Sequence, residues 1–383
     1  MPPVPPWDPG AFGPYGPLLL AVTLLAAWLF TDLAITWVAR IAYRFGRVDP
    51  VDPRKVHTVP IPRLGGVAIF LGVLTSLALV ERLVPGHNLL VGGPFLGLAS
   101  GACLVFLVGI IDDLHPLSAK VKLAGQIGAA VLAFKLGLRI EFLSWFDGGL
   151  LSLPPVAGLP LVELAITTFW LVGISNTINL VDGLDGLAAG ITLIGALALV
   201  TIALQTGQLL PATLALALIG GTIGFLRYNF NPARIFMGDG GSLFLGFTLA
   251  GISVMGVFKL VTAVTLVLPL LIIGVPIVDT TFAILRRLWN RQPVFAPDRG
   301  HLHHRLLGAG LSHRTTVIFI YGLSLALAGI ALGLLGNPGS WPMLLASGAA
   351  LGWGTWRLRK SRARPDAQRI SSHSPDPATG TTP

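Results

Sequence analysis

The chain has 383 residues, 53% hydrophobic and only 11% charged, with a mean hydropathy of +0.78. Soluble domains carry about 25% charged residues, so a water-facing surface of ordinary size is excluded and a bundle of membrane-spanning helices is implied. The net charge of +9 would suit a nucleic-acid partner in a soluble protein, but its placement argues otherwise below; the lone Cys103, inside an apolar run, excludes a disulfide scaffold and a cysteine metal cluster.

Residues 1–16 contain no Lys or Arg and lack the positive start of a signal peptide. They read as an extracytoplasmic segment, with Pro17 to Ala39 as a retained first span. A window of about 20 apolar residues predicts eleven spans: 17–39, 64–84, 95–111, 121–138, 160–178, 183–205, 209–227, 241–258, 261–285, 315–335 and 341–356. Residues 17–356 thus form an all-α transmembrane domain, and 139–159 reads as a short outer hairpin or amphipathic loop. The tail 357–383 is rich in Pro, Ser and Arg and is expected to be a disordered cytoplasmic segment. Its start, WRLRKSRAR, is a topology signal or a contact with anionic lipid.

Eleven spans place alternate connections on one side, and those connections hold 22 of the 26 Lys and Arg residues. Only Arg82, Lys135, Arg139 and Lys259 fall elsewhere. The excess marks the cytoplasmic side, with the N-terminus outside and the C-terminus inside. Nucleic acid is therefore not the partner that the basic residues serve.

The polar segments follow that side along the chain. RKVHTVPIPRLGG offers Lys55, His57 and Arg63 before the Gly65-Gly66 pair; each basic residue alone reads as a topology signal. Asp112-Asp113 closes the third span in LVGIIDDLHP. Adjacent carboxylates repel unless a cation or a proton lies between them, which suggests a cation site or a base beside an anion, against a plain solvated loop. In NTINLVDGLDGLAAG, Asn176, Asn179, Asp182 and Asp185 recur every third residue. On a helix that spacing makes a slanting polar band, each member turned about 60° from the last. Two caps would account for two of the four, and the glycines beside them let a ligand approach a helix N-terminus.

NFNPARIFMGDGGSLFLG sets Asp239 among Gly238, Gly240 and Gly241 before a helix start, a place suited to a cation-bridged phosphate. Asp279, seven residues before Arg286, lies about 10 Å below the interface and either pairs with an arginine or supports the site from beneath. PDRGHLHHRLLGAGLSHR carries His301, His303, His304, Arg299 and Arg305. Zinc is the rival there, disfavoured by the missing Cys and close spacing; imidazoles beside arginines suit a pyrophosphate through charge-assisted hydrogen bonds. Asp32 and Glu163 have no assigned role.

Together these motifs resemble the polyprenyl-phosphate N-acetylhexosamine-1-phosphate transferases, of the glycosyltransferase family 4 type. The likeness runs from about residue 40 to 325: the His-Thr-x-Pro loop, Asp112-Asp113, Asn-x-x-Asn-x-x-Asp-Gly-x-Asp-Gly, Phe-Met-Gly-Asp and the histidine segment. His-x-His-His followed by Arg-Leu is similar to the branch that uses UDP-N-acetylglucosamine, whose members start teichoic acids, O-antigens or related polymers. The muramoyl-pentapeptide branch usually shows three consecutive histidines, and here Leu302 interrupts them.

The resemblance implies catalytic roles for Asp112, Asp113 and Asp239. Asp239 matches the magnesium ligand, with Asn179 assisting in some members; manganese is an alternative ion. Asp112 and Asp113 match the pair near the lipid phosphate, one of which has been argued to be a general base. Asp182 and Asp185 match nucleotide-pocket acids, Asn229 and Phe236 match uridine contacts with Phe236 stacking on uracil, and His301, His303 and His304 match the pyrophosphate and sugar loop. Arg305 and Arg299 join that loop by proximity, and Asn176, Lys55 and His57 complete the substrate-binding candidates.

The implied reaction is attack of a polyprenyl phosphate, such as undecaprenyl phosphate, on UDP-N-acetylglucosamine with loss of UMP, in a bacterial plasma membrane at its cytoplasmic face. The alternatives are another UDP-sugar, such as UDP-N-acetylmuramoyl-pentapeptide or UDP-N-acetylgalactosamine, or, from another class, a lipid or solute transporter. Membrane lipids are partners in any reading, and a homodimer is left open.

Overall fold

The computed structural model describes residues 13, 15–49, 60–83, 90–144, 150–152, 159–256, 267–291 and 301–362. Lys55, His57 and Arg299 lie outside these residues, as do nearly all of the 1–16 segment and most of the tail.

Apolar runs become helices because a backbone in lipid must satisfy its hydrogen bonds internally. In chain order they are α1 (Gly16–Arg44), α2 (Gly65–Leu83), α3 (Gly93–Leu114), α4 (Ala119–Lys135), α5 (Leu161–Val181), α6 (Leu187–Gln205) and α7 (Leu209–Asn229). Then come α8 (Gly238–Gly256), α9 (Val267–Ile272), α10 (Gly274–Trp289), α11 (Leu302–Gly308), α12 (His313–Leu334) and α13 (Ser340–Arg362). The only sheet among the described residues is in two antiparallel strand pairs. One pairs β1 (Val48–Asp49) with β2 (Ile61–Pro62); the other pairs β3 (Phe142–Ser144) with β4 (Leu150–Ser152), within the segment read as a hairpin or amphipathic loop. Local signals set several starts: the Ser118 and Ser312 hydroxyls accept from the third residue on, Val121 and Thr315, as N-caps do, and Pro94 opens α3, where a missing N–H costs nothing.

The chain is a polytopic membrane protein. Eight of the described helices (α1, α2, α3, α5, α6, α7, α8 and α12) are long and apolar enough to cross a bilayer. The other three expected spans fall on weaker elements. α4 has 17 residues, the ninth span divides at Ile273 into α9 and α10, and α13 is thick with Gly, Ser and Trp. Exposed Leu25, Trp37, Phe169, Phe282 and Leu345 are side chains that lipid would cover.

The centre of the bundle is α8, buried from Gly240 to Gly256 and packed by α2, α3, α5, α6 and α7. Helices in lipid gain little from apolar burial against one another, so close approach through small residues holds them. A Cβ on Gly66 of α2 would fall 2.2 Å from the Gly241 Cα, and one on Gly109 of α3 would fall 2.5 Å from the Gly240 Cα. Gly66→Ala is therefore expected to lower stability by about 1–3 kcal/mol through overpacking, measured as a lower unfolding temperature in detergent. Gly128→Ala, whose Cβ meets nothing within 4 Å, is the control that stays at or above the wild-type value.

Candidate active site

Site residues converge at one end of the bundle, where α3, α5 and α7 finish and α2, α4, α6, α8 and α12 begin. Asp113, in the last turn of α3, accepts the N–H groups of Asp239 (2.8 Å) and Gly240 (3.0 Å). It thus caps α8 from another helix, satisfying N–H groups that a helix start leaves unpaired. Gly238 makes the approach possible: its φ is +76°, and a Cβ there would lie 2.6 Å from the Asp113 carboxylate. The segment before α8 is laced to the start of α2, with Phe236 N–H on Pro62 O and the Gly65 and Gly66 N–H groups on Phe236 O and Met237 O.

Asp112 faces another way, since neighbours on a helix are turned by about 100°. One of its oxygens accepts the Leu117 N–H at 2.6 Å, and the other lies 3.0 Å from the Lys122 Nζ. The same Nζ lies 2.8 Å from Asp239 Oδ2. The expectation that the adjacent pair shares a cation is thus redistributed. Asp112 and Asp239 converge on one cationic atom, while Asp113 faces backbone N–H groups. By sequence Lys122 reads only as a topology charge; the signal for its role is its position one turn into the helix that follows Asp112-Asp113.

Two carboxylates aimed at one point make a hard oxygen site of the kind that a small divalent ion shares with water and phosphate. No group of three or more His, Cys, Asp or Glu side chains gathers as a metal cage among the described residues. Two carboxylates could hold an ion only with further oxygens from substrate or water, and only if Lys122 Nζ, which lies between them at 3.0 and 2.8 Å, moved aside. Asn179 lies over the first turn of α8, its amide donating to Ser242 Oγ at 2.9 Å while Ser242 donates to Gly238 O.

The polar band expected along one helix is broken. α5 ends at Val181, so Asp182 and Asp185 belong to the turn into α6, whose start is set by Gly186 at φ +81°. Asn176 pairs amide to amide with buried Gln126 of α4, deeper in the bundle. Asp185 accepts from the Asn231 side chain (2.9 Å) and the Ala233 N–H (3.0 Å), stapling its turn to the segment before α8. Buried Asn229 accepts the Gly186 N–H at 2.9 Å and donates to Ile235 O at 2.8 Å, an organising position beneath the site. Tyr321 donates to Gly186 O at 2.5 Å and Arg314 to Asn231 O at 2.7 Å; neither was singled out from sequence. Burial, then the negative charges of Asp239, Asp113 and Asp185, hold the Asp182 carboxyl well above its usual range, so Asp182 shares the field of the acidic cluster.

The histidine segment packs on that turn. His303 is buried, and a Cβ on Gly183 would lie 3.1 Å from its Nε2. The rings of His301 and His303 are parallel, 5.8 Å apart, and His304 lies 4.2 Å from His303. Asp279 pairs with His301 at 2.9 Å, not with an arginine. Burial, aided by the neighbouring His304 and His301, lowers His303 from 6.5 to about 4. It is therefore neutral near pH 7 and makes no charge-assisted bond there; exposed His304 and Arg305 are better placed to meet an anion. Below pH 6.5 the unfolded chain takes up a proton on His303 that the folded chain resists until about pH 4. This contribution to stability is thus lost as pH falls through that window. His303→Gln is expected to flatten the fall of the unfolding temperature between those values.

Asp32 lies apart from this cluster, in an ion pair of 3.0 Å with Arg227 that joins α1 to α7.

The sequence pattern described as glycosyl transferase family 4 matches residues 95–257, which hold α3 to α8. The chain is 44% identical over 306 residues to a probable undecaprenyl-phosphate N-acetylglucosaminyl 1-phosphate transferase of Bacillus subtilis, covering 78% of this chain and 79% of that one. It is 37% identical over 353 residues to a decaprenyl-phosphate N-acetylglucosaminephosphotransferase of Mycolicibacterium smegmatis, covering 85% of each. An undecaprenyl-phosphate alpha-N-acetylglucosaminyl 1-phosphate transferase of Escherichia coli is 28% identical over 320 residues, 82% of this chain and 84% of that one.

Proposed function

The chain belongs to glycosyl transferase family 4, and from that premise we propose that it transfers N-acetylglucosamine 1-phosphate from UDP-N-acetylglucosamine to a polyprenyl phosphate, releasing UMP. An oxygen of the lipid phosphate bonds to the β-phosphorus, and the bond from that phosphorus to the bridging oxygen breaks, leaving with UMP. The observation that carries this reading is the convergence of Asp112 and Asp239 on one cationic atom at the start of a buried helix.

The obstacle is one anion approaching another, so positioning and electrostatics do most of the work. Lys122 brings a fixed positive charge between the two carboxylates. Asp113 holds the first turn of α8, and with it Asp239. The turn of Asp182 to Gly186, stapled by Asp185 and Asn229, and the segment ending at Phe236 frame the nucleotide side, while His304 and Arg305 meet the sugar-linked phosphate. Asp239 and Asp112, with Asn179 alongside, would hold magnesium, or manganese as a substitute, once Lys122 yields its place between them, and the ion would neutralise phosphate oxygens. A phosphate monoester, with its second ionisation near about pH 6, is already largely dianionic at neutral pH. The nucleophile needs little help from a base, which agrees with Asp113 accepting two N–H bonds.

The same reading puts the N-terminus outside, the C-terminus in the cytoplasm and eleven spans in a bacterial plasma membrane, supported by the 22 of 26 basic residues on one side. The site end then faces the cytoplasm, where UDP-sugars are made.

Purified protein with magnesium, undecaprenyl phosphate and a panel of UDP-sugars tests the proposal. UMP release is expected to be fastest with UDP-N-acetylglucosamine. Faster release with UDP-N-acetylmuramoyl-pentapeptide or UDP-N-acetylgalactosamine would reassign the sugar, and movement of lipid or solute without UMP would replace the transferase by a transporter.

A further inference from the structure

Asp279 sits on α10, in a helix that the family pattern over residues 95–257 does not reach. One of its oxygens accepts the Leu302 N–H at 2.8 Å, at the first residue of α11, and the other lies 2.9 Å from Nδ1 of His301. A single carboxylate therefore caps α11 and orients the ring that precedes it. Beside it is a small, partly open pocket, with a volume of about 10 Å³, walled mainly by Val181, Leu187, Ile191, Val275, Pro276 and Ile320, with Asp279 and His303 at its edge. The apolar walls on that side lower the local dielectric and strengthen both bonds, while 13% of the Asp279 side chain stays exposed. From His301 the contact runs on: its ring lies parallel to that of His303, which abuts Gly183 in the turn of Asp182 and Asp185.

We propose that Asp279 is a positioning residue for the transfer, fixing His301 as the Nδ1–H tautomer and seating the histidine segment against the nucleotide turn. The hydrogen bond at one ring nitrogen sets which nitrogen carries the proton, so in the neutral ring Nε2 of His301 is left as the acceptor. This inference rests on the transferase reading and is tested so that the two can fail separately.

Asp279→Asn keeps an oxygen for the Leu302 N–H and removes the charged acceptor from His301. UMP release by this variant is expected to fall about a hundredfold in kcat, as misplacement of a reacting group does, with the KM for polyprenyl phosphate unchanged and the unfolding temperature close to wild type. His301→Gln is expected to show a similar loss, and the double variant no more than the larger single loss. Nitrogen-15 spectra of histidine-labelled protein, with the His301 signal assigned by its absence in His301→Gln, are expected to show Nδ1–H in the wild type and a shifted tautomer balance in Asp279→Asn. A kcat within twofold of wild type, fully additive losses, or an unchanged His301 signal would overturn the proposal. Wild-type protein that released no UMP would overturn the transferase reading instead, and the nitrogen spectra would still decide whether Asp279 sets the His301 tautomer.

Discussion

Asp239→Ala is expected to lower UMP release by about a thousandfold, the scale at which an electrostatic group of an active site is felt, and excess magnesium is expected not to restore it. The carboxylate shares Lys122 with Asp112, so its removal leaves one oxygen donor where two converged and lets the ammonium swing to Asp112 alone. The fold should survive. Asp239 is half-buried at the helix start, and the cap on its own N–H comes from Asp113, which the variant retains. Initial-rate measurement across a magnesium titration checks this: near-normal turnover would remove the metal role, and a loss rescued by high magnesium would make Asp239 one ligand among replaceable others.

Asp113→Ala is expected to damage both stability and activity, in contrast to Asp239→Ala. Its two oxygens accept the N–H groups of Asp239 and Gly240, and leaving partly buried donors unpaired costs about 1–3 kcal/mol each. The first turn of α8 carries Asp239, so a frayed turn also misplaces the carboxylate, and about a hundredfold loss of turnover is expected from misplacement alone. Thermal unfolding and UMP release on the same preparation separate the possibilities. If Asp113 were chiefly a proton acceptor, turnover would fall with the unfolding temperature unchanged. Asp113→Asn, able to accept one of the two N–H bonds, is expected to lie between Ala and wild type in both measurements.

Asp113 also marks the limit of what local sequence encodes. Asp112-Asp113 was legible as an unusual carboxylate pair, and its partner Asp239 was legible as a helix-start acid among glycines. That the two aspartates of the pair divide their work was not, because the angle between successive side chains matters only once a second helix stands on one side. Lys122 went unnoticed for the same reason. Its charge is a topology signal by position, and becomes a bridge only when α4 and α8 are brought within 3 Å of each other at that atom.

The band from Asn176 to Asp185 shows a milder failure. The spacing of three is real, but Gly183 and Gly186 end the helix that the spacing assumes, so its four members go to different places: an amide pair with Gln126, a contact over Ser242, and a turn stapled to Asn231 and Ala233. The histidine segment is legible by composition, whereas the lowered value of His303 follows from its burial, in a fold that packs it on the turn of Gly183, a residue 120 positions earlier in the chain.

What the amino-acid sequence determined by itself is the class of the molecule and the place of its chemistry: a bundle of apolar helices long enough to cross a membrane, with acids, amides and imidazoles gathered at helix ends. Those are local properties, since hydropathy and helix-ending glycines act within a few residues of where they stand. Tertiary structure alone decided the pairings: Asp113 with the N–H groups of α8, Lys122 between Asp112 and Asp239, Asp279 with His301. Each joins groups on separate elements across a distance of a few ångströms, and that distance is set by close contacts such as Gly66 on Gly241 and Gly109 on Gly240, which no single helix contains.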